Sequence, residues 1–82
     1  MSGIDIRTVL AAAAIVQSQG ERRDGSMWLD DIQLVEGIDG YSFTLSCGRV
    51  AIHIYFHNRY RVESPDRDAL DRFYQKLTSI AQ

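Results

Sequence analysis

The sequence predicts an α+β domain, in which an N-terminal helix and a C-terminal helix lie on one face of a three- or four-stranded antiparallel β-meander. Three observations support this prediction: a helical apolar pattern near the N-terminus, two alternating strands joined by a glycine turn, and a capped amphipathic helix near the C-terminus. The chain has 82 residues, close to the lower limit for a self-sufficient core. We therefore interpret residues 1–82 as a single α+β domain.

The first helix is predicted over residues 4–19. Ser2 with Asp5 three residues later resembles a capping box, and Gly20 is a natural stop. Apolar side chains recur at the spacing of one helix face: Ile6, Val9, Leu10, Ala13 and Val16. The alanines in this helix would let it approach the sheet closely, and they could also leave space for a small-molecule pocket.

The next segment is expected to be a charged loop over residues 21–26, followed by a first strand over residues 28–35. Apolar alternation in this strand breaks at Asp30 and Asp31, which indicates a bulge or a late strand start. Trp28 is expected to cover the end of the core, and the alternative is that it anchors a partner.

The next two strands alternate regularly on either side of Gly48 and Arg49. A glycine at the first position of a two-residue loop is typical of a type II′ turn, and this turn fixes the register. The expected cross-strand pairs are Leu45–Ile52, Phe43–Ile54 and Tyr41–Phe56 on the apolar face, and Thr44–His53 on the polar face. Beyond Phe56 the chain either continues as a long bent strand or turns at residues 57–59.

The final helix is predicted from its N-terminal signals. Ser64 would be the N-cap, Pro65 would take the first helical position, and Asp66 and Asp68 would lie at the positive end of the helix dipole. Its apolar stripe is Leu70, Phe73, Leu77 and Ile80.

Charge is distributed unevenly, although the net charge is only -2. Residues 21–40 contain six acids and two arginines, whereas residues 41–62 contain no acid, three arginines and two histidines. Such a dipolar surface favours self-association, for example as a homodimer, or a charged partner. The single cysteine, Cys47, is expected to be half-buried and suits a reducing compartment. With no clear signal peptide and no apolar run long enough for a bilayer, we expect a cytoplasmic protein without a membrane partner.

The candidate site is the polar face of the sheet. Its residues are His53, Tyr55, His57, Arg59 and Arg61. Tyrosine and arginine are favoured at protein interfaces, and aromatic side chains beside arginines also bind single-stranded nucleic acid. Because the chain is mildly acidic and has no lysine run, we expect a non-enzymatic interaction or regulatory module that binds a protein or itself. A nucleic-acid-binding regulator using the same strip is the alternative.

Catalysis, metal binding and a cofactor are not expected. His53 and His57 are four residues apart on a strand, which separates them by about 13 Å, too far to share one ion. The sequence has no glycine-rich phosphate loop, no nucleophile elbow and no cluster with metal-ligand spacing. A small-molecule sensor with a pocket between the first helix and the sheet remains a third possibility.

The segment 39–41, followed by residues 55–60 and a short amphipathic helix, resembles a small family of bacterial proteins described only as a domain of unknown function. The resemblance covers roughly the C-terminal half of the chain. It implies a bacterial, cytoplasmic, single-domain protein, and it implies no activity or site residues.

Overall fold

The computed structural model describes residues 4–38, 40, 42–55 and 59–81. Two helices flank six consecutive strands: α1 (Ile6–Gln19), β1 (Glu21–Arg23), β2 (Ser26–Leu29), β3 (Ile32–Glu36), β4 (Phe43–Cys47), β5 (Val50–Tyr55), β6 (Arg59–Glu63) and α2 (Arg67–Ala81). The strands form one sheet in the order β1-β2-β3-β4-β5-β6, each antiparallel to the next. The α+β class and the antiparallel meander are confirmed, but the sheet has six strands rather than three or four.

The first additional strand comes from the segment that was predicted to be a charged loop. β1 and β2 pair as a hairpin in which Arg23 lies opposite Ser26. The two loop residues, Asp24 and Gly25, have φ angles of 51° and 80°, as a type I′ turn requires. The loop prediction was wrong because Asp-Gly is itself a strong hairpin signal, and the charged residues of β1 just before it obscured that signal.

The second additional strand comes from dividing the predicted strand over residues 28–35 into β2 and β3. Leu29 pairs with Ile32, so Asp30 and Asp31 form a two-residue hairpin loop rather than a bulge. Asp30 has a φ angle of 55°, a left-handed conformation that Asp tolerates better than most residues. The break in apolar alternation therefore marks a turn.

The β4–β5 hairpin agrees with the prediction. Leu45 lies opposite Ile52 and Phe43 lies opposite Ile54, and Gly48 has a φ angle of 60° at the first turn position. The expected pair of Tyr41 and Phe56 lies outside the described residues. β6 runs antiparallel to β5, so the chain reverses direction between Tyr55 and Arg59 rather than continuing as one long bent strand.

Both helices are capped by aspartate. The Asp5 carboxylate accepts a hydrogen bond from the Arg7 backbone N–H at 3.0 Å, while Ser2 lies outside the described residues. The Asp66 carboxylate accepts from the Ala69 backbone N–H at 2.8 Å and so caps α2. The prediction of a Ser64 cap was wrong, since its hydroxyl donates instead to the backbone carbonyl of Asp66 at 2.6 Å. Asp accepts from a backbone N–H as effectively as Ser does.

The core lies between the sheet and the helix pair. Both helices pack on the same sheet face, and the buried residues are Val9, Ala12, Ala13, Val16, Ile32, Leu34, Leu45, Val50, Ile52, Ile54, Phe73 and Leu77. Leu10 was predicted to belong to the buried stripe of α1, but it is 39% exposed, and Ala12 is buried instead. Within the described residues, neither helix is long and apolar enough to cross a membrane.

Gly20 joins α1 to β1 at a close backbone contact. A Cβ atom at this position would lie 2.5 Å from the Val16 carbonyl oxygen and 2.6 Å from the Trp28 carbonyl oxygen. Its backbone is extended, so glycine is required here for space and not for a left-handed φ angle.

Candidate binding face of the sheet

The sheet face opposite the helices is the candidate site, and we call it the open face. Directly paired residues on neighbouring strands point to the same side, so the strand register assigns the members of this face. They are Glu21, Arg23, Ser26, Trp28, Gln33, Val35, Thr44, Ser46, Ala51, His53, Tyr55, Arg59, Arg61 and Glu63. Every buried residue of the core, within the part of the chain described, belongs to a helix or to the other side of the sheet.

One end of the open face carries a cluster that we call the β5–β6 patch: His53, Tyr55, Arg59, Arg61 and Glu63. The β5–β6 register places Tyr55 directly opposite Arg59, and His53 directly opposite Arg61. Four of the five predicted site residues are thus brought together, and the fifth, His57, lies outside the described residues. Tyr55 is 41% exposed, and both arginines are exposed, so their side chains are available to a partner.

His53 is held in place by its neighbours on three sides. Its Nδ1 lies 2.8 Å from the Thr44 hydroxyl, and its ring stacks near Tyr55 with centroids 6.5 Å apart and an interplanar angle of 18°. Its Nε2 lies 3.5 Å from a Glu63 carboxylate oxygen and is shielded from solvent, without a hydrogen bond among the described atoms. These contacts fix the His53 ring, and the stacked ring in turn supports Tyr55.

Glu63 is a member of the patch that sequence analysis missed. Its carboxylate accepts from the Arg61 guanidinium at 3.0 Å and also approaches His53. Glu63 follows immediately after residues 41–62, the segment without acids. Because the candidate site was chosen within that segment, Glu63 was not included in it. Continuing the strand alternation by two residues beyond Arg61 would have placed it on this face.

The other end of the open face carries the tryptophan patch, formed by Glu21, Arg23 and Trp28. The Arg23 guanidinium lies over the Trp28 indole, 5.3 Å from the ring centroid, within the range of a cation–π contact. Trp28 is half-buried, and it lies opposite Gln33 on the open face rather than over the core. The expectation that it covers the end of the core was wrong, because residue parity in β2 directs Met27 and Leu29 to the core instead.

Uncharged side chains of small and medium size separate the two patches. Thr44, Ser46 and Ala51 occupy the middle of the open face on β4 and β5, and Gln33 and Val35 lie beside them on β3. β2 and β5 are three strand spacings apart, which is about 14 Å. The open face therefore has large aromatic and arginine side chains at both ends and smaller, uncharged side chains between them.

Cys47 lies on the helix side of the sheet beside a charged pair. The Lys76 ammonium donates to the Asp31 carboxylate at 2.7 Å and lies 3.7 Å from the Cys47 sulfur. The Lys76 hydrogen bond lowers the pKa of Asp31, and the same contact raises the pKa of Lys76. Burial, together with the Asp31 carboxylate, raises the pKa of the Cys47 thiol, which makes it a weak nucleophile. The expected half-buried position of Cys47 is confirmed.

A cavity of about 260 Å³ lies between α1 and the β3–β4 end of the sheet. Leu10, Ala13, Ala14 and Phe43 form its apolar lining, with Glu36 at its polar side. The alanines therefore do leave a cavity beside α1. Its volume is smaller than that of a typical ligand site, which is about 300 Å³ or more. Among the residues that the structure describes, no three His, Cys, Asp or Glu side chains are grouped to hold a metal ion.

The fold and the open face define the class of protein: a small α+β domain whose helices cover one face of an antiparallel meander and leave the other face polar. The chain belongs to the family described as a protein of unknown function (DUF3081), whose model matches residues 4–82. The resemblance noted for the C-terminal half thus extends over nearly the whole chain. No curated protein and no solved structure matches the chain significantly.

Proposed function

We propose that this protein is a non-enzymatic interaction module that binds another protein through its open face. The observation that carries the proposal is the pairing of Tyr55 with Arg59 on adjacent strands, both exposed on a sheet face without a helix over it in the described residues. Tyrosine and arginine dominate the binding energy of protein interfaces because each combines a large contact area with directed hydrogen bonds. Arg61 and His53 flank this pair as additional contacts.

The shape of the open face supports a protein partner. β2, which carries Trp28, and β5, which carries Tyr55, lie about 14 Å apart across the sheet, enough room for a helix of about 10 Å diameter or for an extended segment. The single half-buried thiol, Cys47, suits a reducing compartment, so we propose that binding takes place in the cytoplasm.

The charge of the open face favours protein over nucleic acid. Three arginines are accompanied by two glutamates, and Glu63 already forms an ion pair with Arg61. A nucleic-acid groove depends on uncompensated cations along the phosphate backbone. Mixed charges with aromatic anchors are more typical of a protein interface, where they give specificity.

The proposal predicts that replacing both anchors, Tyr55→Ala with Arg59→Ala, reduces partner capture at least about tenfold, since interface anchors each contribute about 2 kcal/mol. The measurement is affinity capture from a host lysate by tagged wild-type and variant proteins, quantified by mass spectrometry. Circular dichroism and thermal unfolding establish that the variant is folded.

A matched control is Arg72→Ala with Gln75→Ala, which removes one arginine and one large polar side chain from the exposed surface of α2. Control and wild-type proteins are expected to capture the same partner equally. Equal capture by the Tyr55 and Arg59 variant would reject the open face as the binding surface.

Nuclease treatment and salt separate the nucleic-acid alternative from the proposal. Capture that disappears with nuclease, and that falls steeply between about 50 and about 200 mM salt, would identify the open face as a nucleic-acid surface. We expect capture to survive nuclease and to change little over this range.

A further inference from the structure

β6 (Arg59–Glu63) forms one edge of the sheet, and its outer backbone groups are not paired with another strand within the described chain. The opposite edge, β1, has only three residues, whereas β6 has five. A strand edge of this length offers alternating N–H and C=O groups to a further strand. β6 is therefore the edge that could extend the sheet.

The side chains of β6 divide sharply between its two faces. On the helix side, Tyr60 is 41% exposed and Val62 is half-buried. These two side chains at the edge of the sheet are therefore only partly shielded from solvent. On the open face the order is Arg59, Arg61 and Glu63, with a positive charge at one end of the strand and a negative charge at the other.

We propose that two copies of the protein associate through β6, paired antiparallel about a two-fold axis at Arg61. In this arrangement Arg59 of each copy lies opposite Glu63 of the other, and Tyr60 of each copy lies opposite Val62 of the other. The two six-stranded sheets become one continuous sheet of twelve strands. This interface shares Arg59 and Arg61 with the open-face contact proposed above, but it is built on the backbone edge of β6 and does not depend on that contact.

The geometry of antiparallel pairing restricts the register. Because successive residues direct their backbone groups to opposite edges, two copies of β6 pair only in registers that differ by whole two-residue steps. The register centred on Arg61 is the one that pairs all five residues. Centring on Tyr60 keeps three pairs and sets Arg59 against Arg61 twice, whereas centring on Val62 also keeps three pairs.

The two Arg61 side chains meet at the two-fold axis, and Glu63 offsets their repulsion. Glu63 already accepts from Arg61 of its own chain at 3.0 Å. In the dimer the same carboxylate would lie beside Arg59 of the second copy, so each glutamate neutralises charge from both chains. Opposite charges directly across a strand pair stabilise it, and like charges destabilise it.

Charge exchange tests this register on the full-length chain. Arg59→Glu alone or Glu63→Arg alone sets like charges opposite each other twice, so we expect the dissociation constant of the dimer to rise about tenfold or more. Combining the two substitutions recreates both ion pairs and is expected to restore association. Within one chain these residues are about 13 Å apart, so restoration requires contact between copies.

The measurement is sedimentation velocity of the wild-type and variant proteins from about 10 to about 500 µM, a range suited to a micromolar dimer. Arg22→Glu on the opposite edge strand is the matched control and is expected to leave association unchanged. A wild-type protein that stays monomeric over the whole range would overturn the proposal, and so would a double variant as weak as either single variant.

Cysteine cross-linking tests the same geometry without relying on charge. In a Cys47→Ser background, Arg61→Cys places two cysteines opposite each other, with Cα atoms about 4.5–5.5 Å apart, within the range of a disulfide. Arg59→Cys is the control, because the two copies of that residue are about 13 Å apart. We expect the Arg61 variant alone to form a covalent dimer on mild oxidation, and cross-linking of the Arg59 variant to an equal extent would reject the register.

Discussion

At the scale of single residues, Asp31 shows how a turn is tied to a helix. Its carboxylate accepts from Lys76 at 2.7 Å, which joins the β2–β3 loop to α2 across residues that are 45 positions apart in the chain. This hydrogen bond lowers the pKa of Asp31 from an ordinary value of 3.8. The folded chain therefore releases the Asp31 proton more readily than the unfolded chain does.

The pH dependence of stability follows from this shift. Because the folded pKa is the lower one, the contribution of Asp31 is present above pH 3.8 and is lost as the pH falls through the folded pKa. We expect Asp31→Asn to be less stable than wild type at neutral pH, and the difference to shrink as the pH is lowered toward about pH 3. Urea unfolding of both proteins at several pH values measures this difference in the free energy of unfolding.

Asp71→Asn, an exposed change on the same helix as Lys76, serves as the control for this series. The difference in the free energy of unfolding between Asp71→Asn and wild type should not shrink in the same way as the pH is lowered. Parallel stability curves for wild type and Asp31→Asn would contradict the assigned role of the Asp31–Lys76 pair.

Residue-level alternation predicted part of the candidate site correctly. A period of two in β5 and β6 was sufficient to place Tyr55 and Arg61 on the same face. It was not sufficient for Arg23, because its position on the open face depends on a hairpin that had been interpreted as a loop. Glu63 was missed for a simpler reason, since it lies just beyond the segment defined by charge.

At the scale of elements, local turn chemistry determined which strands could be predicted. The β4–β5 hairpin was predictable because a glycine turn and two alternating strands give the same register. β1 has three residues, all of them exposed and charged, so neither alternation nor β-propensity marks it as a strand. The turn at Gly25 determines the pairing of β1 with β2, although the residues of β1 do not themselves favour a strand.

Gly20 gives a prediction about the joint between α1 and β1. Gly20→Ala would place a methyl group within 2.6 Å of two backbone carbonyl oxygens, and these belong to the helix and to β2. We expect a loss of about 1–3 kcal/mol in the free energy of unfolding, because backbone must shift to admit the methyl group. Chemical denaturation measures the loss.

The control is Gln19→Ala, an exposed substitution one residue earlier, which should change stability by no more than about 0.5 kcal/mol. If Gly20→Ala were as stable as wild type, the close approach of α1 to β2 would be wrong.

At the scale of the whole molecule, stability depends on one small core. A domain of 82 residues has a free energy of unfolding of about 4–12 kcal/mol. Ile52 is fully buried on β5, between Leu45 on β4 and Val62 on β6. Truncating such a side chain removes apolar contacts on several sides and leaves a cavity.

We therefore expect Ile52→Ala to cost about 2–5 kcal/mol and Ile52→Val about 0.5–1.5 kcal/mol. Val35→Ala, on the exposed side of β3, is the comparison and should cost less than about 1 kcal/mol. Thermal and urea unfolding of the three variants measure these differences. A cost for Val35→Ala equal to that for Ile52→Ala would contradict the assignment of the two sheet faces.

The meander also determines the order in which the chain can fold. Each strand pairs with its neighbour in sequence, so every hairpin closes a short loop at low entropic cost. The contact between α1 and α2 is different, because it joins the two ends of the chain, as in the hydrogen bond from the Asp5 backbone N–H to the Tyr74 hydroxyl at 3.1 Å. We expect the sheet to assemble first, on the millisecond scale or faster, with the docking of the two helices against each other as the late step that makes folding cooperative.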